Sequence, residues 1–254
     1  MLLCIDIGNT NITFGLYEGK RLGPRWRIRT IHEKMPDEYG ILLDQLFRQR
    51  GYRSEQVTGV AIASVVPPLN PVFKQVCRDY MGHTPLVLDV GVKTGVRIRY
   101  ENPWEVGADR VADAAAVLAL YRVPACVVDF GTAITFDAVS AEGDYLGGAI
   151  APGISIAAQA LFERTAKLHR VELTLPPSVI GRTTTQSIQS GLLFGYMGLV
   201  EGMVTRFKAE LGPETQVIAT GGLAGMVARE TEVIDVVDPW LTLHGLRIIY
   251  ELNR

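Results

Sequence analysis

The chain has little cysteine and little histidine. Its three cysteines, Cys4, Cys77 and Cys126, lie far apart in apolar runs, and no Cys-x-x-Cys pair occurs. That pattern excludes a disulfide framework and reads the thiols as small buried hydrophobes in a reducing compartment. The four histidines, His32, His83, His169 and His244, are scattered, so they offer no zinc-ligand spacing. Basic surplus is also missing. The formal net charge is −2 and no block of like charge stands out, which argues against a nucleic-acid partner. Long apolar runs are absent too. Among the longest uncharged stretches, Tyr145 to Phe162 carries Gly147, Gly148, Pro152, Gly153 and Gln159 and reads as strand, loop and helix, not as a membrane span. Asp6 cuts the opening apolar run too short for a signal-peptide core. The expectation is a soluble, cytoplasmic protein. At 254 residues and 48% hydrophobic content, with no low-complexity linker, one large domain or two lobes are both possible.

What is present starts with Cys4-Ile-Asp6-Ile7-Gly8-Asn9-Thr10-Asn11-Ile12-Thr13-Phe14. An apolar run enters, a carboxylate and a glycine sit at the tip, and an alternating run leaves, which reads as a tight hairpin. Gly8 permits a turn that a side chain would block. Asn9, Thr10, Asn11 and Thr13 offer amide and hydroxyl hydrogens at that tip. Small donors beside bare backbone suit a phosphate chain, with Asp6 facing the accompanying metal. The plainer reading is an ordinary turn. The segment Cys126-Val-Val-Asp129-Phe-Gly131-Thr132-Ala-Ile-Thr135-Phe136 repeats the design. Asp6 and Gly8 map onto Asp129 and Gly131 at an offset of 123. Thr10, Ile12, Thr13 and Phe14 map onto Thr132, Ile134, Thr135 and Phe136 at 122, after a one-residue deletion. Two such hairpins half a chain apart suggest two related lobes, and a nucleotide held between them would meet one hairpin from each.

The pattern predicts three antiparallel strands over residues 2–30, a helix from Pro36 ended by Gly51, a strand over 57–66, a helix from Pro67-Pro68 to about Met81, and a strand over 86–90. After an irregular stretch comes an alanine-rich helix over 111–121. The second half restarts with strands over 125–131, 133–139 and 144–150, a helix over 154–165, and one long helix over 184–211. A strand over 217–220 leads through Gly221-Gly222, a turn that lets a flat base or ribose lie against backbone, into a short helix. A strand over 233–237 and a helix from Pro239 close the chain. The expected fold class is α/β, with a mixed sheet in each lobe, and the expected division is 1–122 and 123–254. Gly191, Gly195, Gly198 and Gly202 run along the long helix. Each costs about 1 kcal/mol against alanine, so a close neighbour is implied: a partner helix in a dimer, or the chain's own sheet.

Tyr100-Glu-Asn102-Pro103-Trp-Glu105-Val-Gly107-Ala108-Asp109-Arg110 is chemically dense. Asp109 and Arg110 stand at a helix start, where negative charge is favoured. An ionised Asp109 can accept a substrate hydroxyl's proton during phosphoryl transfer, and Arg110 can make a forked pair with a substrate carboxylate. The alternative is that Asp109 caps the helix while Arg110 pairs with Glu105 or Asp113 on the surface. Gly181-Arg-Thr183-Thr184-Thr185 precedes the long helix, and any of these threonines can cap it.

Taken together, the chain resembles the type III pantothenate kinases nearly end to end. The resemblance rests on Asp6-Ile-Gly8-Asn9-Thr10-Asn11, Tyr100-x-Asn102-Pro103, Gly107-Ala108-Asp109-Arg110, Asp129-Phe-Gly131-Thr132-Ala133, Gly147-Gly148-x-Ile150-x-Pro152-Gly153 and Gly221-Gly222. It implies an actin/ribonuclease H-like fold of two lobes around a nucleotide cleft, and ATP-dependent phosphorylation of pantothenate, the first step toward coenzyme A. It further implies that Asp6 to Thr13 and Thr132 hold ATP, with Asp6 oriented to Mg²⁺, and that Asp129 binds K⁺ or ammonium. Tyr100, Gly107, Ala108, Asp109, Arg110 and Thr184 would form the substrate pocket, with Asp109 the catalytic base, in a homodimer. At position 183, where the family often has Asn, this chain has Thr. The competing readings are an ATP-binding regulatory protein, which has no use for Asp109, and a kinase for another small alcohol or sugar.

Overall fold

The computed structural model describes residues 1–254. In chain order the elements are strands β1 (Leu2–Ile7), β2 (Asn11–Glu18) and β3 (Arg21–Arg29), helix α1 (Pro36–Gln49), β4 (Gly59–Ser64), α2 (Leu69–Met81), the short strands β5 (Leu86–Val87) and β6 (Arg97–Ile98), and α3 (Ala108–Leu120). There follow β7 (Ala125–Phe130), β8 (Ala133–Val139), β9 (Asp144–Pro152), α4 (Ile154–Arg164), α5 (Thr184–Leu211), β10 (Gln216–Gly221), α6 (Ala224–Val227), β11 (Val236–Val237) and α7 (Leu241–Leu252). The contacts divide the chain into two units. One is Met1–Tyr121 with Leu241–Arg254, the other Arg122–Trp240.

In the first unit the strand order is β3-β2-β1-β4-β5. β1 pairs antiparallel with β2 and parallel with β4. Strand alternation sends Leu3, Ile5, Ile7, Ile12 and Phe14 to one face, where they pack with Tyr39, Leu43 and Phe47 of α1 and Phe73, Val76 and Cys77 of α2. α7 packs against β1, β2 and β4, and against α3. The close approach of α3 and α7 depends on Gly245, where a Cβ would collide with the carbonyl of Ala112. The closing helix therefore lies with the first unit, whereas chain order alone grouped it with 123–254.

The second unit repeats the order as β9-β8-β7-β10-β11. Its core joins Cys126, Val128, Phe130, Ile134 and Phe136 of the sheet to Met197, Val200 and Val204 of α5. The paired registers make the internal repeat explicit. Asp6 lies opposite Thr13 and Ile7 opposite Ile12 in the first hairpin; Asp129 lies opposite Thr135 and Phe130 opposite Ile134 in the second. The one-residue deletion falls in the turn.

Three elements are shorter than their hydrophobic patterns. β5 stops at Val87, and the Asp89 carboxylate accepts the Val90 amide at 2.7 Å, turning the chain. β11 keeps only Val236–Val237, at an edge paired on one side. α7 begins at Leu241 rather than Pro239, because Asp238 Oδ1 accepts the Trp240 amide at 2.9 Å and holds the preceding turn.

The three thiols are free and buried, and burial pushes Cys77 and Cys126 up to about 12. Gly245→Ala is expected to cost about 1–3 kcal/mol by overpacking, read as a lowered urea midpoint at unchanged m; a midpoint equal to wild type would show that α3 and α7 separate freely.

Candidate active site

The first hairpin ends in a turn closed by the Gly8 amide on the Asn11 carbonyl at 3.0 Å. Gly8 does not adopt a left-handed conformation. What it supplies is room: a Cβ there would sit 3.0 Å from the Asn11 oxygen. Thr30, at the end of β3, donates its hydroxyl to the Gly8 carbonyl at 2.6 Å, and its amide to the Thr10 carbonyl at 3.0 Å. Those bonds tie the turn from behind and leave Asn9, Thr10 and Asn11 exposed. Ile7 and Ile12 are fully buried, so only their backbone can meet a ligand. Thr13 is buried at 8%. It stands behind the tip, opposite the half-buried Asp6, rather than on it as the sequence suggested.

The Gly107–Arg110 segment lies in the same unit, near the carboxyl end of β1. The Val65 amide donates to the Ile7 carbonyl at 3.0 Å, and a Cβ on Gly107 would sit 3.5 Å from Val65 Cγ1. Val65 thus bridges the end of β1 and the start of α3. This is the end of a parallel strand pair at which open α/β sheets place their ligands.

Gly107, not Asp109, is the N-cap of α3, and no side chain caps that helix. Asp109 lies in the first turn, where its Oδ1 accepts the Arg110 amide at 2.8 Å. The helix terminus and this amide both favour the ionised carboxylate. A Cβ on Gly107 would fall 2.5 Å from Asp109 Oδ1, so the glycine seats the carboxylate. Arg110 is 9% exposed and Asp113 3%, so both lie in the interior rather than on the surface; the exposed Glu105 accepts from Asn102 Nδ2 at 2.7 Å. Ala108 is half-buried in the first turn, Tyr100 is half-buried, and Trp104 is exposed.

In the second unit the Asp129 carboxylate is enclosed by glycines. A Cβ on Gly221 would collide with its Oδ1, and one on Gly131 would lie 3.3 Å from its Oδ2. Gly221 also has φ +89°, which a side chain rarely adopts. The Gly221-Gly222 turn therefore docks on this tip, with the Gly222 amide on the Phe130 carbonyl at 3.2 Å. Gly153 opens α4 and donates its amide to the Thr132 carbonyl at 3.0 Å. At α5, Thr183 is the N-cap and accepts the Gln186 amide at 3.2 Å. Thr184 is the first helical residue and is exposed.

A family model described as type III pantothenate kinase matches residues 2–206. A type III pantothenate kinase from Moorella thermoacetica is 54% identical over 253 residues, covering 100% of each chain. The chain belongs to the type III pantothenate kinase family. That family phosphorylates pantothenate in coenzyme A biosynthesis. Among solved structures, a Baf family transcriptional activator from Campylobacter jejuni superposes with a TM-score of 0.64 at 20% identity, covering 99% of this chain and 98% of its own. An inorganic polyphosphate/ATP-glucomannokinase from Arthrobacter sp. strain KM gives 0.52 at 17% identity, covering 100% and 99%. At those identities the likeness is one of fold: the actin-like fold that the family resemblance implied.

Residues invisible to the sequence reading, Thr30 and Val65, hold the first tip through bonds from distant positions. No local pattern marks either one. For a pantothenate kinase built this way, Gly107→Ala should push the Asp109 carboxylate aside. Its kcat is expected to fall at least about tenfold with little change in thermal midpoint; unchanged kcat would show that the carboxylate's seat is not needed.

Proposed function

We propose that this chain is an ATP:pantothenate 4′-phosphotransferase with Asp109 as the general base. The observation that carries the assignment is the Asp109 carboxylate in the first turn of α3, seated by Gly107 and linked through Val65 to the carboxyl end of β1. In the proposed reaction the primary hydroxyl of pantothenate attacks the γ-phosphorus of ATP. A new O–P bond forms, the bond to the β-phosphate oxygen breaks, and ADP departs with that electron pair. The hydroxyl proton passes to Asp109.

The exposed amides and hydroxyls of Asn9, Thr10 and Asn11, with the backbone of Ile7, Gly8 and Ile12, are the proposed phosphate cradle, and Thr132 is a proposed ATP contact from the second unit. Thr13 contributes behind Asp6. Mg²⁺ arriving with ATP would neutralise charge on the β- and γ-phosphates. A half-buried carboxylate at a strand end, such as Asp6, suits it, since this ion is commonly held by one or two carboxylates plus substrate phosphates. Tyr100, Gly107, Ala108, Arg110 and Thr184 are the proposed pantothenate contacts. Because Thr183 already caps α5, Thr184 is the one of the pair available to a ligand.

Asp129 is the proposed residue for a monovalent cation, K⁺ or ammonium. Its surroundings fit a hard, weakly held cation. The tip offers one carboxylate, the Thr135 hydroxyl and backbone carbonyls, all oxygen, and no cluster of three or more His, Cys, Asp or Glu side chains forms a cage for a transition metal.

A homodimer through α5 is also part of the reading. Gly191, Gly195 and Gly198 are exposed, and a Cβ on any of them would meet nothing within 4 Å. That removes packing on the chain's own sheet as the reason for three costly glycines and favours a second copy.

Asp109→Asn is expected to lower turnover by at least about 100-fold in an ADP-release assay, with ATP affinity within about twofold of wild type; persistent turnover would remove the base assignment. Gly195→Leu should shift the sedimentation coefficient at micromolar concentration from dimer to monomer. A wild-type chain that sediments as a monomer would dispose of the dimer.

A further inference from the structure

The two acid-tipped hairpins differ at one position behind the tip. In the first, two residues beyond Thr13, stands Gly15, where a Cβ would sit 2.8 Å from Leu243 Cδ1. The equivalent position in the second hairpin is Asp137, two residues beyond Thr135 and 2% exposed. Thr135 Oγ1 donates to Asp137 Oδ2 at 2.9 Å, and Tyr145, wholly buried, donates its hydroxyl to Asp137 Oδ1 at 2.8 Å. The alternation of β8 puts Thr135 and Asp137 on one face of the sheet. Asp129 lies on that face directly opposite Thr135, with Cβ atoms of such pairs about 4.5–5.5 Å apart.

A buried carboxylate is costly to maintain, and the core of the first unit manages without one at this position. Its effect on Thr135 is specific. A hydroxyl has one hydrogen and two lone pairs. With the hydrogen committed to Asp137, Thr135 can offer only its lone pairs, and the hydrogen bond to a charged acceptor increases their electron density. Thr135 is half-buried, so its oxygen can still reach a ligand at the tip. Thr13 has no carboxylate two residues on, so its hydroxyl has no equivalent acceptor to fix it.

We propose that Asp137 is a positioning residue for cation binding at the second hairpin. It holds the Thr135 hydroxyl hydrogen away from the tip, so that the Thr135 oxygen and the Asp129 carboxylate form a pair of acceptors for a monovalent cation. The inference rests on the reading of Asp129 as the cation residue. Asp137→Asn removes the charge from that acceptor and puts an amide donor beside Thr135 or Tyr145, which loosens the hold on the Thr135 hydrogen. Thr135→Val removes the oxygen at nearly constant shape. Tyr145→Phe removes the Tyr145 bond to Asp137 and leaves Thr135 untouched.

The test measures Tl⁺ affinity, as a surrogate for K⁺, by titration calorimetry on the full chain with a non-hydrolysable ATP analogue and Mg²⁺. The K⁺ concentration for half-maximal turnover is measured alongside. Asp137→Asn and Thr135→Val are each expected to weaken both by about tenfold. Thr135→Ser should recover most of the Tl⁺ affinity, and Tyr145→Phe should stay within about twofold of wild type despite a lower thermal midpoint. If Asp137→Asn does not fold, Thr135→Val against Thr135→Ser decides the matter. The proposal is overturned if wild type binds Tl⁺ while Thr135→Val binds it within twofold as well, or if Tyr145→Phe weakens binding as much as Asp137→Asn. A wild-type chain that neither binds Tl⁺ nor responds to K⁺ would overturn the Asp129 reading and this inference with it.

Discussion

A carboxylate at the end of a buried strand must be held without being smothered. That constraint shapes both halves of this chain. Asp6 and Asp129 each follow a run of buried aliphatic residues, and each lies opposite a threonine across an antiparallel pair. Around Asp129 the space is kept open by Gly131 and Gly221, where added carbons would press on its oxygens. Around the Asp6 tip, Gly8 and the hydroxyl of Thr30 do the shaping. A buried charge left unpaired is expensive. Partial exposure at the strand end, with small neighbours, lowers that cost and leaves the carboxylate within reach of a ligand.

The reactive segment follows from the same economy of space. α3 begins where Val65 meets the end of β1, and Gly107 leaves room for the Asp109 carboxylate beside the helix's own first amides. The far side of α3 is anchored by α7, which can come close only because Gly245 lacks a side chain. A helix from the extreme C-terminus thus steadies the base proposed for the reaction, and chain order separates the two by more than a hundred residues.

Much of the fold was legible. α5 spans Thr184–Leu211, as its periodicity indicated, and the strands of both hairpins end within two residues of their apolar runs. Departures cluster where one-dimensional pattern has no purchase. β5 and β11 are edge strands with a single partner, so hydrophobic content did not extend them. Gly8 was read as allowing a turn that a side chain would block, and the structure gives the reason as clearance from the Asn11 carbonyl, with no left-handed backbone. The glycines of α5 suggested a close neighbour, and within the chain Gly191, Gly195 and Gly198 have none. Thr183, rather than Thr184, proved to be the cap, because a cap must precede the first helical residue with its oxygen turned back toward the helix amides.

The repeat, the α/β class, the acid-tipped hairpins and the family could be read from the residues alone, because they are carried by alternation, spacing and short motifs that survive in one dimension. Three-dimensional packing was needed to show that α7 belongs with the first unit, that Thr30 and Val65 brace the first tip, and that Tyr145 and Thr135 converge on Asp137. Those are contacts between residues whose separation along the chain is unrelated to their distance in space. Their existence depends on strand register and helix packing, which no local run of residues encodes.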